Sequence, residues 1–239
     1  MGTSARKARI WFNGYDLSNY FTTWSAPQKL ETDKTGAFTD DDETHVATIG
    51  SSTLQCSGLG FWAAGSINEV LDAAFATKVD QTLTLAPFGE TIGNFAYLMA
   101  PLQSDWVPAD SKYDKVVKTQ AQWTCDGPID DGVVVNDLTS FTVAQSTGAA
   151  SVNNGAATSN GGVFQAHATA GTFTAATLEL QHSTNNSTFT VLATLSFTGP
   201  NQVQRTVIAP GTTVNQYVDT LLSALTGTNV IVPAAFARR

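Results

Sequence analysis

Charge is scarce in this chain. Only 13% of the 239 residues are Asp, Glu, Lys or Arg, and acids outnumber bases by 20 to 12, for a net charge of −8. A basic footprint that could hold a nucleic-acid backbone is therefore missing. Cysteine is nearly absent. Cys56 and Cys125 stand alone, with no CxxC and no Cys/His cluster, which argues against a zinc site or a redox motif. No run approaches the ~20 apolar residues of a membrane helix, so a membrane partner is not expected. Arg6, Lys7 and Arg9 open the chain with no apolar stretch behind them, which does not read as a secretory signal. What is present is apolar enough to fold: 42% of residues are hydrophobic and the mean hydropathy is −0.04.

The two halves differ in kind. Residues 1–135 carry 9 Lys/Arg and 17 Asp/Glu, net −8. Residues 136–239 carry Arg205, Arg238 and Arg239 against Asp137, Glu179 and Asp219, net zero. Ala144–Gly162 is built almost wholly of Ala, Ser, Thr, Asn and Gly, the composition of a linker or slack loop. The expectation is two domains parting near 136–145, one over 1–140 and one over 141–239. The alternative is one domain with a long loop.

The first half reads as β with one helix. Ala8, Ile10 and Phe12 alternate with Arg9 and Trp11. Leu54 and Cys56 alternate with Thr53, Gln55 and Ser57. Val117, Ala121, Trp123 and Cys125 alternate with Lys118, Gln120, Gln122 and Thr124, the pattern of a strand with one wet face. Both cysteines fall on the apolar parity and read as core thiols, with a disulfide across 69 residues as the alternative. Ser66 and Glu69 have the spacing of a capping box. Ile67, Val70, Leu71, Ala74 and Phe75 follow the helical period, and Lys78 suits the negative end of the dipole. A short amphipathic helix over about 66–77 is expected, lying against a sheet.

The second half reads as an antiparallel β-sandwich. Phe164, Ala166 and Ala168 alternate with Gln165, His167 and Thr169. Ala176, Leu178 and Leu180 alternate with Thr177, Glu179 and Gln181, and Phe189 to Phe197 repeat the pattern. Turns are expected at Ala170–Thr172, Ser183–Asn186 and Thr198–Asn201. Val214–Leu225 reads as strand rather than helix, and Thr226–Asn229 as a hairpin turn into Val230–Phe236.

Chemistry is hard to find. The sequence has no GxSxG, HExxH, P-loop or GxGxxG. His45, His167 and His182 are far apart, and His167 and His182 read as surface histidines. No catalytic residue, metal ligand or cofactor site is assigned. Asp40, Asp41, Asp42 and Glu43, just before His45, form the densest charge run, but lack the spaced ligands and glycine of a calcium loop. They read as a solvated or functional negative surface. Overlapping sequons at Asn185–Thr188 are discounted without a secretion signal.

The opening Trp11-Phe12-Asn13-Gly14-Tyr15-Asp16-Leu17-Ser18-Asn19-Tyr20-Phe21 resembles that of tail tube (major tail) proteins of long-tailed, non-contractile phages. Three further segments match in the family's order: the polar loop Lys34–His45; Leu54–Gly58 followed by Phe61-Trp62 and the helix; and Trp123–Val135. The second half resembles a β-sandwich module appended to such proteins, through Asn154–Gly162, Leu180–Ser183 and Asn186–Phe189. The resemblance implies a virion protein made in the host bacterial cytoplasm, without enzymatic activity, whose hexameric rings stack into a hollow tube. Its implied partners are further copies of itself, a tape measure protein, tail terminator and tail tip proteins, and DNA that passes without specific binding. It further implies that the loop Lys34–Gly50, with Lys34, Asp40, Asp41, Asp42, Glu43 and His45, reaches an adjacent subunit or ring. Lys118, Gln120 and Gln122 are the candidates for the lumen.

Two other classes stay open. One is a carbohydrate-binding or adhesin module, since the Ser/Thr/Asn-rich second half suits contact with host surface glycans. The other is a glycosidase using a carboxylate pair, though no pair in the sequence commends itself.

Overall fold

Period-two alternation dominates the chain, and the computed structural model is correspondingly mainly β. It describes residues 7–35, 44–111, 115–125, 129–148 and 150–239, without the side chains of 29–35 and 44–50. The first strands are β1 (Arg9–Phe12), β2 (Tyr15–Asp16), β3 (Phe21–Ser25), β4 (Gln28–Thr35) and β5 (Thr44–Leu59). Helix α1 (Ile67–Thr77) follows, then β6 (Leu83–Ala86), β7 (Phe95–Met99), β8 (Leu102–Asp110), β9 (Lys118–Cys125) and β10 (Asp130–Asn136). Next come β11 (Ser140–Phe141), β12 (Val152–Asn153), β13 (Gly162–Ala168) and β14 (Ala170–Ser183). The chain closes with β15 (Thr190–Phe197), β16 (Gln202–Ile208), β17 (Tyr217–Ile231) and β18 (Ala234–Arg238).

The described residues fall into two compact units. One draws on Met1–Asn19, Gln81–Ala100 and Asp130–Arg239, the other on Tyr20–Asp80 and Pro101–Ile129. The first unit holds an eight-stranded sheet, β16-β13-β18-β10-β7-β6-β1-β2, and a second sheet, β11-β17-β14-β15, with β12 on β17. The second unit holds the sheet β3-β5-β9-β8, with β4 on β5, and α1.

The eight-stranded sheet rolls toward a barrel. Asn13 and Gly14 have φ of 49° and 88°, the left-handed pair that a tight β1–β2 hairpin demands. Gly14 lies against the backbone of Asn201 and Gln202, where a Cβ would overlap Gln202 N, so the two ends of the sheet meet only because this residue is glycine. Asn13 exchanges two hydrogen bonds with Thr82, both of 3.0 Å. Asp16 Oδ1 accepts from Ser18 N at 3.0 Å and from the Ser18 hydroxyl, an Asx turn leading the chain out of β2. Inside the curl lie Trp11, Ala86, Leu98, Val134, Val163 and Ala235. On its other side, Phe164, Ala166, Ala234 and Phe236 meet Leu178, Leu180, Phe197, Val218 and Leu222 of the second sheet. That second core is the expected antiparallel sandwich of the C-terminal half.

The expected parting near 136–145 is not a gap between compact units. Asp130–Asn136 would be an open edge. Instead, Val133 pairs with Phe236 and Val134 with Ala235, so one sheet runs through both halves. Nor is Ala144–Gly162 slack. Gln145 N donates to Leu222 O at 2.8 Å and Leu222 N returns a bond to Gln145 Oε1 at 3.2 Å. Asn154 N donates to Gln216 O, and Thr158 bridges Val214. Small polar residues here let the backbone lie along the edge of β17.

Other local expectations need amending. Ala170–Thr172 is not a turn: the chain bends at Thr169, and β14 begins at Ala170, paired with Ile231. Thr226–Asn229 is not a hairpin but a bulged stretch of β17, where Gly227 presses on Phe173 so closely that a Cβ has no room. Trp11, read on the polar parity of its strand, is fully buried, because β1 has both faces covered. Helix α1 spans the expected residues and buries Ile67, Val70, Leu71 and Ala74, but Phe75 is 41% exposed. The capping box forms only in part. Glu69 does accept back from the chain, from Gly65 N, but Ser66 Oγ donates to Phe61 O at 2.7 Å instead of receiving an N–H of the first turn.

Candidate assembly surfaces

The second unit's sheet has the predicted wet face. Along β9, Thr119, Ala121, Trp123 and Cys125 are buried, while Lys118 and Gln120 are exposed and Gln122 half-buried. Along β5, Leu54 and Cys56 are buried and Gln55 is exposed. The two strands put Gln55 opposite Gln122, and Gln55 Nε2 donates to Gln122 Oε1 at 2.8 Å. Thr23 Oγ1 and Ser57 Oγ lie 2.6 Å apart, and Thr124 Oγ1 donates to Ser104 Oγ at 2.9 Å. The result is a carpet of amides and hydroxyls around a shallow hollow of about 380 Å³, bordered by Thr23, Gln55, Asp105 and Gln120. With one Asp and one Lys nearby it is close to neutral. The three lumen candidates Lys118, Gln120 and Gln122 thus share one open face. Cys56 and Cys125 are buried and form no disulfide, and desolvation pushes Cys56 far above the ordinary thiol range.

The same unit carries a ribbon. β4 pairs only with β5, from Gln28↔Ser52 to Thr35↔Thr44, whereas β9 pairs with β5 only from Ser52 to Leu59. Over 29–35 and 44–51 the two strands therefore have no neighbour but each other among the described residues. Lys34 stands opposite His45 in this register. Asp40, Asp41, Asp42 and Glu43 lie outside the described residues. A two-stranded ribbon is marginal by itself in water and leaves both outer edges unpaired.

Sequence reasoning did not mark a third feature. Phe61 (47% exposed), Trp62 (58%), Phe75 and Val79 (58%) offer apolar surface to water on the second unit. Phe61 stacks near Tyr20, centroids 5.4 Å apart, and Phe75 near Trp106 at 6.4 Å. The adjacent aromatics Phe61-Trp62, on a short loop before a helix, were the available signal.

The histidines are placed differently from expectation. His167 is fully buried, not on a wet surface. Gly14 N donates to its Nδ1 at 3.3 Å, which leaves Nε2 to donate to Thr84 Oγ1 at 3.0 Å. Gln165 Nε2 joins this cluster, 2.8 Å from Leu83 O. Burial lowers the His167 pKa from 6.5 to about 3, so the ring is neutral and structural. His182 is half-buried at the end of β14, accepts from Asn215 N at 3.2 Å, and has its pKa lowered by desolvation. Among the described residues no group of three His, Cys, Asp or Glu could hold a metal ion. No described helix is long and apolar enough to cross a membrane.

No protein-family model and no curated protein matches the chain. Several solved structures are similar to it. One is from the virion of a native gene transfer agent particle: 9% identity, covering 54% of this chain and 98% of that one, TM-score 0.43. Another is from the sheath–tube complex of an extracellular contractile injection system in its extended state: 7% identity, 56% and 93% covered, TM-score 0.41. A third is the SPP1 Dit protein, described as a hub adsorption apparatus of phages infecting Gram-positive hosts: 12% identity, 97% and 99% covered, TM-score 0.37.

Proposed function

We propose that this chain is a structural, non-enzymatic subunit of a phage tail, a tube protein whose rings, six-fold by the resemblance of its opening motif, stack into a hollow conduit. The observation that carries this reading is the ribbon of β4 and the first half of β5. It is built as paired strands, yet among the described residues has nothing but itself to pair with. A second copy supplies what is missing, by adding strands to its edges or by receiving the ribbon on its own surface.

The rest of the second unit supports the same reading. Ring closure needs head-to-tail contacts between two different patches, and the same logic continued along an axis gives a tube. Phe61, Trp62, Phe75 and Val79 each expose apolar surface that a neighbour would cover. Among the described residues the outer edges of β3 and β8 are unpaired and can take sheet extension. The neutral face of Lys118, Gln120 and Gln122 suits a lumen through which DNA moves without being gripped, as does the net charge of −8. In this reading the second unit, Tyr20–Asp80 and Pro101–Ile129, supplies the polymerising strands. Tape measure, tail terminator and tail tip proteins are the further partners this reading requires.

Negative-stain microscopy of the full chain over a range of concentrations, beside light scattering, tests it. Hollow rings or tubes are expected. A strict monomer at every concentration contradicts it.

A further inference from the structure

The first unit contains a built cleft. On the outer face of the sheet β11-β17-β14-β15, Asp219 and Gln181 are register partners. Val218 and Leu222 point into the sandwich core, so Asp219, between them in alternation, points outward. A carboxylate there would ordinarily be solvated, yet Asp219 is only 6% exposed. The segment around Ser146–Gly148 and Ala150–Ser151 lies over it. Gly148 sits so close that any Cβ would overlap the carboxylate. Asp219 Oδ1 accepts from Thr220 N at 2.7 Å and from Ala150 N at 3.3 Å. Oδ2, the oxygen nearest Gly148, has no donor among the described residues, and Asp219 borders a cleft of about 400 Å³. Desolvation raises the carboxyl pKa, with the two N–H bonds opposing it. No Lys or Arg borders the cleft.

The opposite wall is also fixed. Asn185 Oδ1 accepts from Ser187 N and Thr188 N, both at 3.0 Å, and from the Ser183 hydroxyl at 2.9 Å. That holds the β14–β15 loop so that Asn186 and Ser187 line the cleft, with Phe189 beside them. The lining is thus one held carboxylate, amides and hydroxyls of both hydrogen-bonding senses, and one aromatic face. Its volume falls at the low end of the roughly 300–1,000 Å³ range of small-molecule sites.

We propose that this cleft, between Ser146–Gly148 with Ala150–Ser151 on one side and Asn186–Phe189 on the other, with Asp219 at its base, binds a neutral pyranose of a surface glycan. Sugar hydroxyls donate to the Asp219 carboxylate where it borders the cleft. Gln181, Asn186 and Ser187 pair with the remaining hydroxyls, and the apolar face of the ring lies on Phe189. The uncompensated carboxylate repels uronic acids and phosphates, which fixes the class as neutral. Ring formation is not needed for this binding, so failure of either proposal leaves the other standing.

The test is an amide chemical-shift titration of the isotope-labelled full chain with the methyl pyranosides of glucose, galactose, mannose, rhamnose and N-acetylglucosamine, each to about 10 mM, enough to reveal sites of ~1 mM Kd. At least one sugar shifts amides confined to 146–151, 181–189 and 218–220. Asp219→Asn keeps the shape and weakens that sugar about tenfold, the loss of a charge-assisted hydrogen bond. Should that variant not fold, Phe189→Ala, at the half-buried rim, weakens it by about fivefold. Methyl glucuronide shifts nothing. Silence from all five sugars, unchanged affinity in both variants, equal binding of the glucuronide, or a response to calcium chloride in place of sugar overturns the proposal.

Discussion

The two compact units solve opposite problems. The first is complete in itself. Its long sheet curls until its ends meet at Gly14 and Gln202, and its other sheet covers the face left over, so Trp11, Phe164 and Phe236 are all fully buried. Even its polar interior groups Thr84, Gln165 and His167 bond to one another. The second unit is left open, with a bare polar sheet face, a ribbon that among the described residues pairs only with itself, and Trp62 58% exposed. If the proposed function holds, the contrast teaches that stability and assembly are housed in different parts of the chain. Substitutions should therefore separate them.

The largest effect is expected from acid on the first unit. His167 ionises near 6.5 when unfolded and near 3 when folded. Its depressed folded value means the unfolded chain takes up a proton that the fold refuses. The contribution is complete above pH 6.5 and is lost as pH falls toward 3, up to about 5 kcal/mol at 1.36 kcal/mol per pH unit. Denaturant titrations from pH 7 to 4 measure it. A His167→Gln variant should lose this component of the slope while keeping that of the carboxylates.

Next, Trp11→Ala should cost about 3–5 kcal/mol by emptying the barrel interior, read as a lower denaturant midpoint. Severing the Arg9–Glu90 pair should cost under about 1 kcal/mol, because both side chains are about a third exposed (29% and 35%). In the structure that guanidinium, bonded to Glu90 at 2.7 Å, holds the carboxyl below its usual range. An Arg9→Gln thermal melt checks it. Smallest in stability is Trp62→Ala, within about 0.5 kcal/mol, yet it should abolish or greatly weaken ring formation in light scattering. That pair of outcomes, Trp11 against Trp62, breaks or sharpens the comparison most clearly.

Much of this was legible in the residues. Helix α1 was marked by its 3.6-residue period, and the wet face of β9 by strict alternation of Gln120 and Gln122 with Ala121 and Trp123. His167 was misread for a physical reason. Alternation reveals which residues share a face, not whether the polar face is wet. In β13 both faces are buried, and the polar one fills the barrel interior. The pairing of β10 with β18 was invisible because it joins residues about a hundred positions apart. Gly227 resembled a turn because a bulge and a hairpin ask for the same residue. The Asn13–Gly14 dipeptide carried a hairpin signal that the sequence reading did not use. The Asp219 cleft depends on two loops meeting over one strand, which no local pattern records.

The central claim is that the ribbon exists for a second copy. It is tested most directly by replacing residues 31–49 with Asn-Gly, a two-residue hairpin closing on Leu30 and Gly50, and comparing this variant with the full chain by melting and negative-stain microscopy. The account predicts an unchanged melting temperature and no rings at concentrations where the full chain forms them. Rings formed equally well by both would contradict it.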